Sequence, residues 1–366
     1  MGIWNWFSHN FSTNSQKYQS VQIPDYRVDI PYDSEPIHAG QAYCRLVLVE
    51  MCLGKKIDWF KKKYPIVHSA VRFNYGSDVV TIPYLAGPEF FRKFGDANLD
   101  RVIPCNHYMT PLFPYNRGLF EVQAGLFSMV ASRPLAKFST AVARFAQLLP
   151  VPELSTVLNL VDPIYKGIED LVATGDGALE LGYQQTFTES GGGGSNELRA
   201  GYFAVILSDE NEVITDKLCV VDDSLRLGFT GKSKIFIRDE KPLKGHSYML
   251  FRLEKRAEQD WESLSLIKDL VYKAQDLVLD GQYEVVRKNL IPAIRVAIFR
   301  SPDIARCDRK PMILKIEETL EEYGLQASTS VRMSLYSIMQ RELSKEYNLK
   351  EKELDQLSSL YSNGVN

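Results

Sequence analysis

The sequence predicts an α+β fold: a β-rich, sandwich-like body made from two sequence blocks, an inserted helical hairpin and a C-terminal helical region. Two stretches, 21–126 and 178–254, consist of short β-rich runs separated by Pro, Gly, Asn and Asp, the punctuation that ends strands in turns. Between them, in 127–177, the apolar residues change to the period of a helix with one buried face. That period returns after the second block, over 255–326 and again in 327–366.

The chain opens on Met-Gly-Ile-Trp-Asn-Trp-Phe, so two of its four tryptophans stand within the first six residues. At about 100° per residue, Ile3, Trp4, Trp6, Phe7 and Phe11 share one arc of a helix, with Asn5, Ser8 and His9 opposite. Each of these apolar side chains gains roughly 1.5–3 kcal/mol on leaving water. The arc is therefore expected to dock on the protein's own body, on a partner or on a membrane surface. Polar residues 12–20 follow as a connector, so 1–20 reads as one N-terminal segment.

In the first block, Tyr43-Cys-Arg-Leu-Val-Leu-Val, Ala70-Val-Arg-Phe-Asn-Tyr and Val79-Val-Thr-Ile are the clearest strands, and Leu119-Phe-Glu-Val-Gln-Ala-Gly closes the block. The helical hairpin carries Phe138, Val142, Phe145 and Leu149, then Leu154, Val157, Leu158, Val161, Ile164 and Ile168. Pro150 and Pro152 place its bend, because proline removes a helical N–H and disfavours helix in the residue before it. Burial against the sheet is the expectation for this pair. Its low charge also admits a partner interface or entry into a bilayer, against which the prolines and Glu153 weigh.

The second block contains Ala178–Thr188 and Gly201–Leu207 around the tract Gly191-Gly192-Gly193-Gly194-Ser195. The two runs read as a hairpin with a long tip, or as a hairpin whose native loop a flexible linker replaces. Lys217–Val221, Ser224–Gly228, Lys234–Arg238 and Ser247–Leu253 continue the strands. In the helical region, Ser301-Pro302-Asp303 has the composition of a helix start, and Gly324 that of a left-handed stop. Val331, Leu335, Ile338, Met339, Leu343 and Tyr347 define a last amphipathic helix.

A formal net charge of −3 argues against a general nucleic-acid footprint, which needs a concentrated basic face. The basic cluster Lys55, Lys56, Lys61, Lys62 and Lys63 reads as a solvated surface. Five cysteines, widely spaced and odd in number, fit free thiols in a reducing cytoplasm better than a disulfide framework. No secretory signal precedes the chain's first strands, and Trp6 stands where a myristoylation motif wants Ser or Thr. These features point to a cytoplasmic protein, with peripheral membrane contact as a secondary expectation.

The catalytic motifs are incomplete. Gly231-Lys232-Ser233 resembles the end of a P-loop, but Arg226 stands where its first glycine belongs, and both flanks read as strands. Cys105 and His107 would share a face of an extended segment, a weak candidate for a nucleophile–base pair or for part of a metal site with His38, Cys44, Cys52 and His68. Asp209, Glu210, Asp216, Asp222 and Asp223 lie in turns between strands and are weak candidates for calcium ligands. No cofactor is implied. The expected function is a non-catalytic binding or adaptor protein that docks on a protein partner, a second copy of itself or a membrane surface through its apolar terminal helices. The alternatives are a Cys/His- or metal-dependent hydrolase and an effector that perturbs membranes through the hairpin.

Overall fold

From the strand Tyr43–Cys52, Cys44, Leu46, Leu48 and Met51 face one apolar core while Val47, Val49 and Cys52 face another. A strand buried on both faces must lie in a middle layer, and its near-continuous apolar run follows from that position. The protein is described by a computed structural model over residues 18–30, 32–54, 57–58, 61–87, 102–116, 118–130, 154, 177–187, 197–207, 215–228, 241–243 and 245–325.

In chain order the strands of the first block are β1 (Tyr18–Gln22), β2 (Tyr43–Cys52), β3 (Ile57–Asp58), β4 (Lys61–Tyr75), β5 (Asp78–Ala86), β6 (Ile103–Tyr108), β7 (Phe113–Pro114) and β8 (Phe120–Val130). The second block supplies β9 (Gly177–Phe187), β10 (Gly201–Leu207), β11 (Leu218–Val221), β12 (Ser224–Leu227), β13 (Lys241–Pro242) and β14 (Tyr248–Arg256). The middle sheet runs β1-β10-β14-β2-β6, with β7 on β2; a second sheet runs β3-β4-β8-β9, with β5 on β4; a third runs β11-β12-β13. All these strand pairs are antiparallel. Both blocks contribute strands to the two larger sheets, so they build one body.

The larger core lies between the middle and second sheets. Phe73, Phe113, Phe120, Phe187, Phe203 and Phe251 run through it as successive ring contacts, the closest being Phe73–Phe113 at 3.9 Å between centroids. Such pairs add about 0.5–1.5 kcal/mol each beyond burial. The smaller core lies between the opposite face of the middle sheet and the three-stranded sheet, where Leu218, Val220, Leu225 and Leu243 meet Val47, Val49, Ala204 and Leu250.

A bulge in β2 serves both cores. Leu250 pairs with Glu50 and Phe251 with Leu48, leaving Val49 as the extra residue. Val49 and Glu50 therefore both point to the three-stranded sheet, and Met51 returns to the larger core. Glu50, 1% exposed, accepts from Ser224 Oγ at 2.7 Å, Leu225 N at 2.8 Å and Tyr248 OH at 3.0 Å. Burial raises its carboxyl above the usual glutamate value, in spite of these donors and of nearby Arg226.

The chain divides into two compact units, Met1–Lys268 with Arg295–Ile313 and Asp269–Ile294 with Leu314–Asn366. The first holds all the described strands and a loop, residues 301–308, that fastens to them through buried carboxylates. Asp303 Oδ1 accepts from Tyr75 OH at 2.8 Å and Leu154 N at 3.0 Å; Asp308 Oδ2 accepts from Tyr43 OH at 2.7 Å and Gln259 N at 2.9 Å. In the second unit, Gly281 (φ 74) and Gly324 (φ 109) close helices with paired bonds, Gln282 N to Leu277 O with Gly281 N to Val278 O, and Leu325 N to Leu320 O with Gly324 N to Glu321 O. Only glycine adopts these left-handed positions without a steric penalty.

The described helices are α1 (Ser265–Leu279), α2 (Ile291–Arg300) and α3 (Arg309–Glu322), with Tyr283–Val285 and a π turn at Val286–Leu290 leading into α2. The wide turn precedes Pro292, which has no N–H for the Lys288 carbonyl and would crowd it in a tight helix.

The expected helix from Ser301 starts instead at Arg309. Asp303 is drawn inward by Tyr75 and the Leu154 N–H, while Asp303 N bonds Ser301 Oγ at 3.2 Å in a local turn. Tyr18–Ser20, read as connector, belong to an edge strand paired with Val205–Leu207. The first block extends to Val130 and the second to Arg256. Residues 1–17, the stretch between β8 and β9 expected to form the helical hairpin (apart from Leu154), and 326–366 lie outside the described residues. Among the described residues, no helix is long and apolar enough to cross a membrane.

Candidate functional site

β14 begins apolar and ends charged. Tyr248, Leu250, Arg252, Glu254 and Arg256 share one face by strand alternation, opposite Met249, Phe251 and Leu253. The three-stranded sheet covers the first part of that face and stops near Arg252, where the turn Val221-Asp222-Asp223-Ser224 reaches down. Asp222 (φ 51) and Asp223 (φ 56) are both left-handed, the signature of a two-residue hairpin turn matched to strand twist.

Beyond the turn the face carries a ladder of charges. Asp223 Oδ1 accepts from Arg252 Nη1 at 2.7 Å and from Tyr202 OH. Arg252 Nη2 also donates to Glu254 Oε1 at 3.1 Å, while Glu254 Oε2 accepts from Arg45 Nε at 2.9 Å and Nη2 at 2.7 Å. The Arg45 guanidinium lies 3.7 Å from the centre of the Tyr108 ring, a cation–π placement. Burial, together with the bond to Asp223, pushes the Tyr202 hydroxyl up to about 12.

A cleft of 300 Å³ opens beside this ladder, lined by Tyr32, Asp33, Ala200, Gly201 and residues 252–256. Its floor is a strand overhang. The last β10–β14 pair is Gly201–Leu253, whereas β14 continues along β2 as far as Arg256–Tyr43. Glu254, Lys255 and Arg256 thus have a strand on one side and the cleft on the other. Tyr32 forms a wall: its hydroxyl donates to Ile23 O at 2.6 Å, and its ring fills the space where Gly201 lacks a side chain. Burial raises the Tyr32 hydroxyl well above its usual range, so it stays protonated.

Lys255 Nζ meets Asp33 Oδ2 at 2.6 Å, and that bond lowers the Asp33 carboxyl below its usual value. Arg252 and Arg45 are held by Asp223 and Glu254. Among the described residues Arg256, exposed at the end of the overhang, has no carboxylate partner. The cleft therefore offers a strand edge, an aromatic wall and one uncompensated positive charge.

Cys105 and His107 both lie on β6, but Asn106 between them is left-handed (φ 47), so the segment is not regularly extended there. The Cys105 Sγ donates to Ile103 O at 3.5 Å and packs beside the larger core. Burial, with a contribution from Glu50, raises its thiol far above the usual value, the opposite of thiolate activation. Of the acidic candidates, Asp223 is held by Arg252, Asp222 N bonds Asp29 Oδ2 at 2.6 Å, and Asp216 sits in the short turn Thr215–Lys217. Asp209 and Glu210, like Ile3, Trp4, Trp6, Phe7 and Phe11, lie outside the described residues. No three His, Cys, Asp or Glu side chains come together as metal ligands among the described residues.

Reading the sequence by apolar runs passes over the residues of this cleft. The signal was Arg252-Leu-Glu-Lys-Arg256, where charges at alternate positions continue a strand beyond its apolar part. Searches against family models, curated proteins and solved structures match nothing.

Proposed function

We propose that this chain is a binding protein that docks a protein partner at the open edge of β14. The observation that supports this is the overhang of Glu254–Arg256 past the start of β10, beside a cleft walled by Tyr32. A strand edge with unpaired backbone groups is a ready template for another chain. The ladder that flanks it is satisfied internally, which holds the edge rigid without consuming Arg256. A binding role also agrees with the apolar arc of Ile3, Trp4, Trp6, Phe7 and Phe11, which we read as a second docking element.

A photocrosslinking residue placed at Arg256, compared with one at exposed Val79, tests the reading in cells. A discrete adduct from position 256 and none from 79 is expected. Equal patterns from both positions, or no adduct from 256, would refute it. Liposome flotation of the full chain against a version lacking residues 2–11 tests the second element separately, and equal flotation removes its membrane form.

A further inference from the structure

We infer that the β14 cleft takes an extended peptide segment as an added strand, with an acidic side chain opposite Arg256. The inference rests on the binding role proposed above and names the chemistry of what is bound. β14 pairs with β2 through Arg256 but with β10 only as far as Leu253. Of the three overhanging residues, Lys255 turns its backbone N–H and C=O to the cleft, because Leu207 N bonds Ser247 O and the odd-numbered residues of β14 face that side; backbone hydrogen bonds there are made best by another extended backbone.

The charges select the side chain. Across an antiparallel or parallel strand pair, directly opposed residues share a face and lie within reach of one another. The residue opposite Arg256 thus meets a guanidinium with no carboxylate partner among the described residues. The residue two positions along meets Glu254, whose oxygens already hold Arg45 and Arg252. On the opposite face Lys255 is held by Asp33. Among the described residues the cleft has one charge without an opposite partner, and it is positive. Tyr32, packed against Gly201, ends the cleft where β10 begins, so the added strand is short and meets β10 end to end.

The full chain is titrated into three fluorescein-labelled heptapeptides and followed by anisotropy. The probes are Thr-Val-Thr-Asp-Thr-Val-Thr, the same peptide with Lys for Asp, and the Asp peptide N-methylated at every peptide nitrogen. The Asp peptide is expected to bind about five- to tenfold more tightly than the Lys peptide, the scale of one partly exposed ion pair exchanged for a repulsion. N-methylation should abolish binding, because it removes the donors a strand ladder needs. Arg256→Glu, at an exposed position, should reverse the Asp/Lys preference.

A preference that survives Arg256→Glu, binding that survives N-methylation, or no binding of any probe would overturn the inference. Should Arg256→Glu fail to fold, the N-methylated probe against the unaltered chain still decides. Failure here alongside a specific adduct at position 256 leaves the binding role standing with a different ligand. Absence of the adduct removes the role itself.

Discussion

Glu50 Oε1 accepts the Ser224 hydroxyl at 2.7 Å, so a buried carboxyl group in the middle sheet fastens the first residue of β12. Its other oxygen holds Leu225 N and Tyr248 OH. Glutamine can reproduce this arrangement, because Ser224 Oγ can accept from the new amide while the remaining oxygen accepts from Leu225 and Tyr248. Glu50→Gln should therefore be at least as stable as the parent at pH 7. Glu50→Ala, which strands the Leu225 and Tyr248 donors, should cost about 2–5 kcal/mol in urea unfolding.

The same residue sets a pH dependence. Its carboxyl is raised in the fold above the ordinary 4.5, so the native state holds the proton more tightly than the unfolded chain. Glu50's contribution is fully present below 4.5 and is lost as pH rises through the raised folded value. Glu50→Gln should flatten stability against pH across that window. An unchanged profile in urea melts at stepped pH would show that another group controls it.

The two left-handed aspartates of the β11–β12 turn should respond oppositely to glycine. Asp222 makes its bond to Asp29 through its backbone N–H, which glycine keeps, so Asp222→Gly should stabilise by up to about 1 kcal/mol through relief of positive φ. Asp223→Gly relieves the same strain but releases Arg252 and Tyr202, a net loss of about 1–3 kcal/mol. Thermal melts of the two variants should move in opposite directions.

At Gly201 the backbone is at φ 115, and an added Cβ would stand 2.2 Å from Tyr32 Cε2. Gly201→Ala should cost about 2–4 kcal/mol, from backbone strain and overpacking together. Adding Tyr32→Ala removes the overpacking but not the strain. The double variant should lose less than the sum of the singles, and simple additivity in denaturant titrations would contradict the packing described.

Thiol labelling separates the cysteines. Iodoacetamide at neutral pH should modify exposed Cys307 first, with Cys44, Cys52 and Cys219 protected by burial. Cys44 is also pushed up to about 12, and Cys105 is raised further, both chiefly by burial. Mass spectrometry showing Cys105 labelled as fast as Cys307 would favour a nucleophilic role for it.

Periodicity made the β-rich blocks and the helical region after them legible, because each element's burial is written in its own spacing. Pairing was not legible: β2 meets β14 across two hundred residues of chain, and no local pattern names that partner. The first three residues of β1 escaped, because an edge strand needs little apolar surface and Tyr18, Gln19 and Ser20 look like a connector. The start at Ser301 failed because a carboxylate suited to capping a helix is equally suited to Tyr75 and a buried N–H. The cleft was hidden for a similar reason. Arg252, Glu254 and Arg256 read as ordinary surface charges until β10 is seen to stop short.

The bulge at Val49 bears on how the chain tolerates insertion and deletion. Losing one residue from a regular strand turns every following side chain over, which in β2 would exchange the contents of two cores. Val49 is the residue the ladder already skips, and its neighbours Leu48 and Glu50 take consecutive positions on either side of it. Its deletion leaves Leu48, Glu50, Met51 and Cys52 in correct alternation. A frameshift in side-chain phase that would ruin the strand elsewhere is absorbed at this one position, so related sequences of differing strand length can share both cores.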